Sequence, residues 1–497
     1  MMHDWWKSDP LIVPGKPPNN AESVAAEVVE GRGGAKGNAV LSSTHQTQSW
    51  ASVSQAMDRI RCAARRDKRV RLTALLHHVN VDLLRFAFHQ LKRRAAPGVD
   101  GITWHEYEAD LEANLADLHG RVQRGAYRAK PSRRQYIPKP DGRQRPLGIA
   151  AVEDKIVQRA VVEVLNAIYE TDFLGFSYGF RPGRSQHQAL DALVVGINRR
   201  KVNWILDADI RAFFDSMSHT WLMRFLEHRI GDRRMLRLIG KWLKAGVLEE
   251  GRLLAVERGT PQGAVISPLL ANIYLHYVYD LWVQRWRQRS AQGDVIVVRY
   301  ADDVVVGFQY LADAHRFLAE LKQRLEAFAL EVHPDKTRII EFGRFACENR
   351  RARGQGKPET FAFLGFTHIY GQSRQGRGLI RRHTIRERLN AKLRQVKATL
   401  RRMRHMPLPE QGRYLRLVLN GFYNYYAVPT NFRALNAFYY HVLSHWLRCL
   451  RRRSQRHKLT WRKMMRIAER WLPSPKLRHP YPDWRFDVMT RGGSPVR

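Results

Sequence analysis

Residues 295–308 have the sequence Val-Ile-Val-Val-Arg-Tyr-Ala-Asp-Asp-Val-Val-Val-Gly-Phe, in which two apolar segments flank a pair of aspartates. Valine and isoleucine favour extended strands, so Val295–Arg299 and Val304–Phe308 are predicted to form a β-hairpin. Tyr300-Ala301-Asp302-Asp303 then lies at the bend between the two strands. This stretch therefore predicts a sheet that carries two carboxylates at one end.

A third carboxylate follows another apolar segment. Val202–Ile210 is short and apolar enough to be a buried strand, and Asp209 lies near its end. One fold could place this strand beside the hairpin and bring Asp209 to the two aspartates of the bend. An isolated Asp-Asp pair more often marks an ordinary turn. Asp207 and Asp215 lie close to Asp209 in the sequence, and either could be a solvated or capping carboxylate.

Carboxylates gathered at strand ends and adjacent bends suit nucleotidyl transfer to a 3′-hydroxyl. That reaction depends on two divalent ions about 3.5–4 Å apart, which activate the attacking oxygen and neutralise the leaving pyrophosphate. Mg²⁺ prefers carboxylate and carbonyl oxygens. A magnesium site is therefore predicted where the two strands meet.

The charge of the chain points to a polyanionic partner. Eighty-five Lys and Arg against 46 Asp and Glu give a net charge of +39 over 497 residues. Cations that neutralise phosphates release counterions, so nucleic acid is the expected partner. Residues 371–497 hold 30 Lys and Arg against 5 Asp and Glu, a net +25. They are predicted to form a separate, mainly helical unit that faces RNA.

The remaining sequence predicts several structural units of mixed secondary structure. Residues 7–50 are rich in Pro and Gly and are predicted to be flexible, whereas Ser52–Arg94 has the spacing of basic helices. Helical patterns also cover residues 156–168, 219–230 and 233–245, and Ser267-Pro268 is predicted to be an N-cap followed by proline at the first helical position. Helices mixed with short, separated strands predict an α+β fold.

Nothing in the sequence argues for export or for a membrane. The three cysteines, Cys62, Cys347 and Cys449, form neither a zinc spacing nor a disulfide framework, and no apolar run approaches the roughly 20 residues that span a bilayer. A location in the bacterial cytoplasm or nucleoid is expected. The sequence does not predict an oligomeric state.

Eight motifs occur in an order that resembles the group II intron reverse transcriptase/maturase family over roughly residues 70–460. They are Ala96-Pro97-Gly98-Val99-Asp100-Gly101, Ile137 to Gly148, Phe180-Arg181-Pro182-Gly183-Arg184-Ser185, Asp209 to Asp215, Gly259-Thr260-Pro261-Gln262-Gly263, Tyr300-Ala301-Asp302-Asp303, His333-Pro334-Asp335-Lys336-Thr337 and Phe363-Leu364-Gly365-Phe366. An ordered set of this kind is much more specific than any one member.

The resemblance implies a right-hand polymerase with fingers, a palm with an antiparallel sheet, and a helical thumb called maturase domain X. The implied division has four parts: a flexible segment 1–50, fingers and palm 51–370, thumb 371–460 and a basic DNA/RNA-binding tail 461–497. Many relatives carry a further His-Asn-His endonuclease with cysteine pairs. The chain has no cysteine after Cys449, so no such domain is expected in it.

The resemblance also assigns roles to individual residues. Catalysis falls to Asp209, Asp302 and Asp303, and two Mg²⁺ ions, with Mn²⁺ as a possible substitute, would be held by Asp209, the Ile210 carbonyl and Asp302. The incoming nucleotide would contact Lys139, Arg145, Phe214, Gln262 and Lys336, and the primer would be held by Leu364, Gly365 and Phe366. One departure lies in the nucleotide loop, where Gly263 is followed by Ala264 although a second glycine is common in the family.

Several of these residues have a plain structural alternative. Phe214 would exclude a ribose 2′-hydroxyl and so select deoxynucleotides, but a phenylalanine beside Phe213 could equally belong to the core. Lys336 could be an ordinary surface lysine. In the C-terminal unit, Arg448, Arg451, Arg452 and Arg453 are expected to bind RNA, because guanidinium groups pair with phosphates. The nearby Phe422 and Tyr426 could stack on bases or form the core of the thumb.

Three functions, two of them enzymatic, fit these features. The first is an intron-encoded RNA-directed DNA polymerase that binds group II intron RNA to assist splicing and copies it into cDNA during retromobility, with an RNA template, a DNA primer and deoxynucleoside triphosphates as partners. The second is an RNA-folding factor with a vestigial polymerase site, which the complete set of aspartates disfavours. The third is a related reverse transcriptase that serves host defence. A group II intron flanking the gene would separate the first from the third.

Overall fold

The computed structural model describes residues 44–138, 144–249, 252–254, 258–372, 375, 378–454 and 459–490. Within these ranges helices alternate with three separate β-sheets, which confirms the predicted α+β class. The segment expected to be flexible, 1–50, lies outside the described residues up to residue 43. From Thr44 onward its last residues belong to a helix that continues to Arg66.

The first half of the chain supplies one complete sheet, one strand of the central sheet and many of the helices. Its elements are α1 (Thr44–Arg66), α2 (Val81–His89), α3 (Trp104–Ala109), α4 (Leu111–Gln123), β1 (Ser132–Pro138), β2 (Gln144–Ile149), α5 (Val152–Tyr169), α6 (Gln186–Arg199), β3 (Trp204–Asp209), α7 (Phe213–Ser216), α8 (His219–Glu227), α9 (Arg233–Lys244), β4 (Val247–Glu249) and β5 (Arg252–Leu254).

The second half completes the central sheet and then becomes mainly helical. Its elements are α10 (Ser267–Leu275), a π-helical turn (His276–Asp280), α11 (Leu281–Arg289), β6 (Val295–Tyr300), β7 (Asp303–Phe308), α12 (Leu311–Glu326), β8 (Arg338–Glu341), α13 (Ala346–Ala352), β9 (Phe361–Phe363), β10 (Phe366–Gln372), β11 (Gly378–Thr384), α14 (Arg386–Arg402), α15 (Leu408–Tyr426), α16 (Phe432–Arg451), α17 (Trp461–Trp471) and α18 (Pro482–Thr490).

The central sheet has the strand order β6-β7-β3-β8, and all its neighbouring strands are antiparallel. Alternate side chains of these strands point to opposite faces, and both faces are covered. Ile205 and Val305 pack with α6 on one face, whereas Leu206 and Val306 join the core that contains α12 on the other. Burial on both faces explains why the strands have apolar runs rather than an alternating pattern. The predicted hairpin is confirmed.

The described chain contains two further sheets, one of four strands and one of three. The first has the order β2-β1-β4-β5, in which β1 and β4 are parallel and the other pairs antiparallel. The second is the antiparallel sheet β11-β10-β9. The domain boundary expected between residues 370 and 371 lies within β10. The change in charge along the sequence therefore does not coincide with a boundary between secondary-structure elements.

The C-terminal helical unit, α14 to α17, has its own core. Val396, Leu415 and Trp446 are fully buried in it, and so are Met464 and Ala468 of α17. The expected separation of a tail at residue 461 therefore falls inside a continuous core. An apolar stripe on an otherwise basic helix buries α17 against its neighbours.

Most predicted helices form within one or two turns of the expected bounds. The exception is Ser52–Arg94, which was expected to be helical but is interrupted between α1 and α2, where only Leu76–His78 forms a 3₁₀ turn. The predicted N-cap at Ser267 is also wrong by one position. Ser267 is the first helical residue after the cap Ile266, and its hydroxyl donates to the Pro261 carbonyl instead.

No helix in the described part of the chain is long and apolar enough to cross a membrane. All three cysteines are free thiols; Cys62 is exposed and Cys449 is buried.

Candidate active site

The three predicted catalytic aspartates converge at one end of the central sheet. Asp209 is the last residue of β3 and lies directly opposite Asp303, the first residue of β7, in the antiparallel register. Asp302 precedes Asp303 in the bend of the hairpin. Antiparallel neighbours in register have their Cα atoms only about 4.5–5.5 Å apart, so Asp209 and Asp303, which are 94 positions apart in the chain, share one site.

Mutual repulsion and desolvation both act on these carboxylates. Desolvation, followed by the negative charges of Asp302, Asp209 and Asp207, raises the pKa of Asp303 to about 7. Desolvation and the charge of Asp209 likewise raise the pKa of Asp302. The Asp303 side chain is nevertheless open to solvent at the floor of the site. Accessible carboxylates that destabilise one another's charge favour binding of a cation.

The same register separates Asp209 from the alternatives. Asp207 lies two residues earlier on β3, opposite Val305 rather than the bend, and burial raises its pKa to about 6. Asp215 belongs to the short helix α7 beyond the strand and is exposed. Asp209 is therefore the β3 carboxylate that faces the paired aspartates.

Lys336 contacts the site directly. Its Nζ lies 2.5 Å from Oδ2 of Asp209, and the lysine side chain is 54% exposed. Ion pairs this open to solvent contribute at most about 1 kcal/mol. The lysine is thus held at the site by an interaction that a metal ion or a phosphate could replace.

The oxygen ligands suit a divalent metal that also binds its substrate. Within the described ranges, no three His, Cys, Asp or Glu side chains form a ready-made metal cage. Mg²⁺ commonly binds one or two protein carboxylates and completes its shell with substrate phosphates and water. Ile210 forms a bridge with Val332 whose hydrogen bonds use Asp209 and Arg211, so the Ile210 carbonyl is not used in that pairing.

A buried arginine supports the bend between β6 and β7 from the protein interior. Arg299 has no exposed surface and forms a two-pronged ion pair with Asp280, with N···O distances of 2.7 and 2.6 Å. It also donates to the Ala301 carbonyl at 3.0 Å, to Asn272 Oδ1 at 3.0 Å and to Ser177 Oγ at 2.7 Å. The guanidinium therefore joins the hairpin bend to α10, to the π-helical turn and to the segment beside β6.

The backbone of the bend is itself constrained. Ala301 has φ 57°, a left-handed conformation that residues with a Cβ rarely adopt. Gly179 packs against it so closely that a Cβ at position 179 would lie 2.3 Å from the Ala301 nitrogen. Ala212, three residues after Asp209, is also left-handed, with φ 45°. Such conformations persist where the surrounding structure imposes them, and they cluster at functional sites.

Phe214 borders the site through the loop that contains Gln262. The Thr260 amide donates to the Phe214 carbonyl at 2.8 Å, and a Cβ at Gly259 would lie 2.6 Å from that same oxygen. Phe213 is buried, whereas Phe214 is only partly buried and packs against the core. Part of the Phe214 side chain is therefore accessible. The Gln262 carbonyl accepts a hydrogen bond from the Gly148 amide at 2.7 Å, which ties the loop to β2.

Arg145 lies on β2 and is exposed, and its positive charge acts on Asp302, where it opposes the upward pKa shift. This interaction places its guanidinium within electrostatic reach of the carboxylates. Lys139, the other predicted phosphate ligand, lies outside the described residues.

The predicted primer grip is a tight bend between β9 and β10. Leu364 and Gly365 both have positive φ, 45° and 82°, and the Leu364 carbonyl accepts a hydrogen bond from the Tyr425 hydroxyl at 2.8 Å. Phe366 is fully buried and stacks on Tyr425. Any contact with a primer would therefore come from the bend rather than from the Phe366 ring.

The four arginines predicted to bind RNA differ in what they contact. Arg451 donates to the Leu459 carbonyl at 2.8 Å and Arg453 to the Met406 carbonyl at 2.5 Å, so both also brace the helical unit. Arg448, Arg451 and Arg452 are exposed and Arg453 is partly buried, but no hydrogen bond to the helical unit is seen for Arg448 and Arg452 within the described residues. The nearby Phe422 is buried and stacks on its neighbour Phe438 across 3.8 Å, which supports the core alternative for this ring.

Sequence reasoning missed Arg299 and its partners Asp280 and Asn272. One signal was available, because Arg299 is the single charged residue in the apolar strand that precedes the bend. A cation in a strand buried on both faces needs a buried partner. The sequence does not show which acidic residue pairs with Arg299.

Comparison with known proteins agrees with this geometry. Residues 137–368 match the family model described as reverse transcriptase (RNA-dependent DNA polymerase). The match contains the whole central sheet and all three aspartates. The chain is also 35% identical over 312 residues to Protein YkfC of Escherichia coli, covering 56% of this chain and 77% of that protein. The chain belongs to the reverse transcriptase family.

Two further relatives are proteins named after introns. The chain is 37% identical over 196 residues to the group II intron-encoded protein LtrA of Lactococcus lactis, covering 39% of this chain and 32% of LtrA. It is 26% identical over 432 residues to a putative COX1/OXI3 intron 1 protein of Saccharomyces cerevisiae, covering 73% of this chain and 51% of that protein. The chain is therefore similar to intron-encoded proteins over part of their length.

Family membership supports RNA-directed DNA polymerase activity, an RNA template and nucleic-acid partners. Reverse transcriptases generally use divalent metal ions. The chain spans about a third of the length of LtrA.

Proposed function

We propose that the chain copies RNA into DNA by a two-metal-ion mechanism and that it does so for a group II intron, whose RNA it also binds to assist splicing. The observation that carries the proposal is the register of the central sheet, which sets Asp209 opposite Asp303 and beside Asp302. A protein that only bound RNA would have no physical reason to gather three mutually repelling carboxylates within a chain of net charge +39.

The metal ligands would be Asp209, Asp302 and the Ile210 carbonyl, with Asp303 adding negative charge beside them. When bound, two Mg²⁺ ions, or Mn²⁺ in their place, supply Lewis-acid stabilisation of the attacking and leaving oxygens. The chain's own contribution is to hold the ligand oxygens of the aspartates in place through the constrained bend and the buried Arg299. Lys336 already contacts Asp209 and would exchange that carboxylate for a phosphate of the nucleotide.

The nucleotide would lie between the central sheet and β2. Arg145 and Lys139 would bind the triphosphate, since a guanidinium can contact phosphate with two parallel hydrogen bonds and an ammonium acts as a point charge. The accessible part of the Phe214 side chain would face the sugar and exclude a 2′-hydroxyl. Gln262 would contact the nucleotide from the loop that packs on Phe214.

A right-hand arrangement fits these positions. The sheet β2-β1-β4-β5 would belong to the fingers, the central sheet to the palm, and the helical unit α14 to α17 to the thumb. The bend at Leu364 and Gly365 would meet the primer where the palm joins the thumb. A location in the bacterial cytoplasm or nucleoid, where intron RNA is made, is part of this proposal.

The test is primer extension on an RNA template. The wild-type chain is expected to extend a DNA primer with deoxynucleotides when Mg²⁺ is present and to stop when a chelator removes it. Asp302→Asn combined with Asp303→Asn should lower the rate by about a thousandfold or more, because several kcal/mol of transition-state stabilisation are lost.

Filter binding to the same RNA provides the control, and it should change little in the double variant. Undiminished extension would remove these aspartates from catalysis. A wild-type chain that binds intron RNA and promotes its splicing, but never extends a primer, would favour the RNA-folding function instead.

A further inference from the structure

A second basic surface lies outside the catalytic residues and outside the C-terminal helical unit. It is a groove of about 1060 Å³ between α9, the end of α8 and the segment that leads from α4 to β1. Its lining residues, which we call the α9 groove, are Tyr127, Arg128, Ala129, Met223, Glu227, Arg233, Leu236, Arg237, Gly240, Lys241, Lys244 and Ala245. None of them is among the residues that surround the aspartates.

The α9 groove is strongly cationic. Five of its lining residues are Arg or Lys, and Glu227 is the single acidic one. Arg233, Arg237 and Lys244 are exposed, and no ion pair or side-chain hydrogen bond within the described part of the chain engages them. Lys241 is different, because it donates to the Gly125 and Tyr127 carbonyls at 2.9 and 2.6 Å and so fixes the wall of the groove.

The folding of α9 does not require this charge pattern. Its apolar residues Met235, Ile239 and Trp242 are buried on the opposite face, which is sufficient to dock the helix. Like charges four residues apart, such as Arg233 and Arg237, destabilise a helix by about 0.2–0.5 kcal/mol per pair. Arginine in the first turn also opposes the helix dipole, which favours acidic residues there. The cations therefore have a cost in the free protein and suit an anionic partner.

Gly240 provides a second, independent observation. It lies in the middle of α9, where glycine costs up to about 1 kcal/mol relative to alanine. A Cβ at this position would meet nothing within 4 Å, so the fold itself does not need a glycine there. Gly240 lines the groove between Arg237 and Lys241. A missing side chain at the floor of a cationic groove allows close approach by something that is not part of this chain.

We propose that the α9 groove binds the phosphate backbone of an RNA strand at a site separate from the catalytic cleft. Phosphates need accessible cations and close approach, and the groove supplies both. An acidic protein would need exposed large apolar side chains as well, and none of the groove's lining residues is among the exposed large hydrophobic residues of the described chain. The choice of RNA rests on the proposed function.

Salt-dependent binding of a single-stranded RNA oligonucleotide tests the proposal. The groove variant is Arg233→Gln, Arg237→Gln and Lys244→Gln combined. Each lost phosphate contact should reduce the slope of log affinity against log salt by about 0.7, and three losses should weaken binding by about tenfold or more near 0.1 M salt. The matched control is Arg285→Gln, Arg289→Gln and Lys322→Gln, which removes the same charge from exposed positions on α11 and α12.

Gly240→Ala tests the close approach without changing charge. Alanine should make α9 more helical and raise the melting temperature, so loss of fold cannot explain a loss of binding. RNA affinity should nevertheless fall by several-fold, because the Cβ occupies the floor of the groove. An alanine variant that is more stable and binds RNA as well as the wild-type chain would overturn the close approach.

Three outcomes would overturn the proposal as a whole. Equal losses of slope in the groove variant and the control would indicate only the loss of general charge. Unchanged slopes in both would leave the groove as a solvated surface. If poly-glutamate competed with RNA for the wild-type chain but not for the groove variant, and the groove variant kept its RNA affinity, the groove would be assigned to an acidic protein. Failure of the polymerase function appears separately, as absence of primer extension by the wild-type chain.

Discussion

The aspartate site and the C-terminal helical unit present their charged groups in opposite ways. At the aspartates, a fully buried guanidinium, a left-handed alanine and a close glycine contact all constrain a single bend. At the end of α16, Arg448 and Arg452 extend into solvent from a helix whose other face is buried. The acidic side chains of the site thus belong to a constrained part of the sheet, whereas Arg448 and Arg452 of the helical unit are exposed.

We attribute the difference to the ligand proposed for each region, a metal ion at the aspartates and RNA at the helical unit. Ligands of a metal ion must be held to within a fraction of an ångström, so supporting contacts matter as much as the ligands themselves. A phosphate backbone offers many equivalent oxygens, and a mobile cation can find one of them. We therefore expect substitutions behind the aspartate site to reduce catalysis strongly, and substitutions among the exposed arginines to reduce affinity gradually.

The largest effect is expected at Arg299. Arg299→Met leaves Asp280 buried without its partner, which should lower the free energy of unfolding by about 3–5 kcal/mol. The Ala301 carbonyl also loses its donor, so the bend should loosen and primer extension should fall even where the protein is folded. Chemical denaturation and extension at low temperature measure the two effects separately.

A second variant distinguishes support of the bend from stability alone. Arg299→Met with Asp280→Leu removes both charges and should be more stable than the single variant, because no buried charge remains unpaired. Its extension rate should stay low, since Ala301, Asn272 and Ser177 still lack their donor. If the double variant regained the wild-type rate, Arg299 would be a residue of structural importance only.

Arg299 also illustrates the limit of prediction from sequence. The apolar composition of residues 295–308 was enough to predict the hairpin, because strands buried on both faces cannot carry polar residues freely. Asp209 was preferred over Asp207 by family resemblance, and the physical reason is the register with Asp303, which depends on pairing between distant segments. The partner of Arg299 is on a π-helical turn that no local pattern indicated.

A smaller effect is expected at Phe214, whose side chain packs against the core but is only partly buried. Phe214→Val should raise the kcat/KM for ribonucleotides relative to deoxynucleotides by about tenfold to a hundredfold, since the 2′-hydroxyl would no longer meet the ring. Competing extension with the two nucleotide types measures the ratio.

The adjacent Phe213 is the matched control. It is buried in the core, so Phe213→Leu should lower stability and leave the ratio unchanged. An unchanged ratio in Phe214→Val, together with a similar loss of stability, would assign Phe214 to the core as well. The sequence alone could not separate these two phenylalanines, because the difference arises where the left-handed Ala212 begins α7.

The smallest effect is expected among the arginines that end α16, where the sequence predicted one cluster and the structure divides it. Arg451 and Arg453 donate hydrogen bonds to the carbonyls of Leu459 and Met406, which competes with binding to phosphate. The positions of these carbonyls are fixed only once the helices pack. Arg448→Gln with Arg452→Gln should reduce the salt slope of intron-RNA binding by about 0.7 to 0.9 per lost contact and leave the melting temperature almost unchanged.

Arg451→Gln with Arg453→Gln removes the same charge from side chains that also brace the helical unit. This pair should lower the melting temperature, because two carbonyls lose their donors, and its effect on the slope should be smaller than that of the first pair. The four-residue cluster would act as one phosphate-binding surface if both pairs changed the slope equally and neither changed stability. In that event the contrast between braced and exposed cations would not hold in this unit, and accessibility alone would fail to identify the arginines that bind RNA.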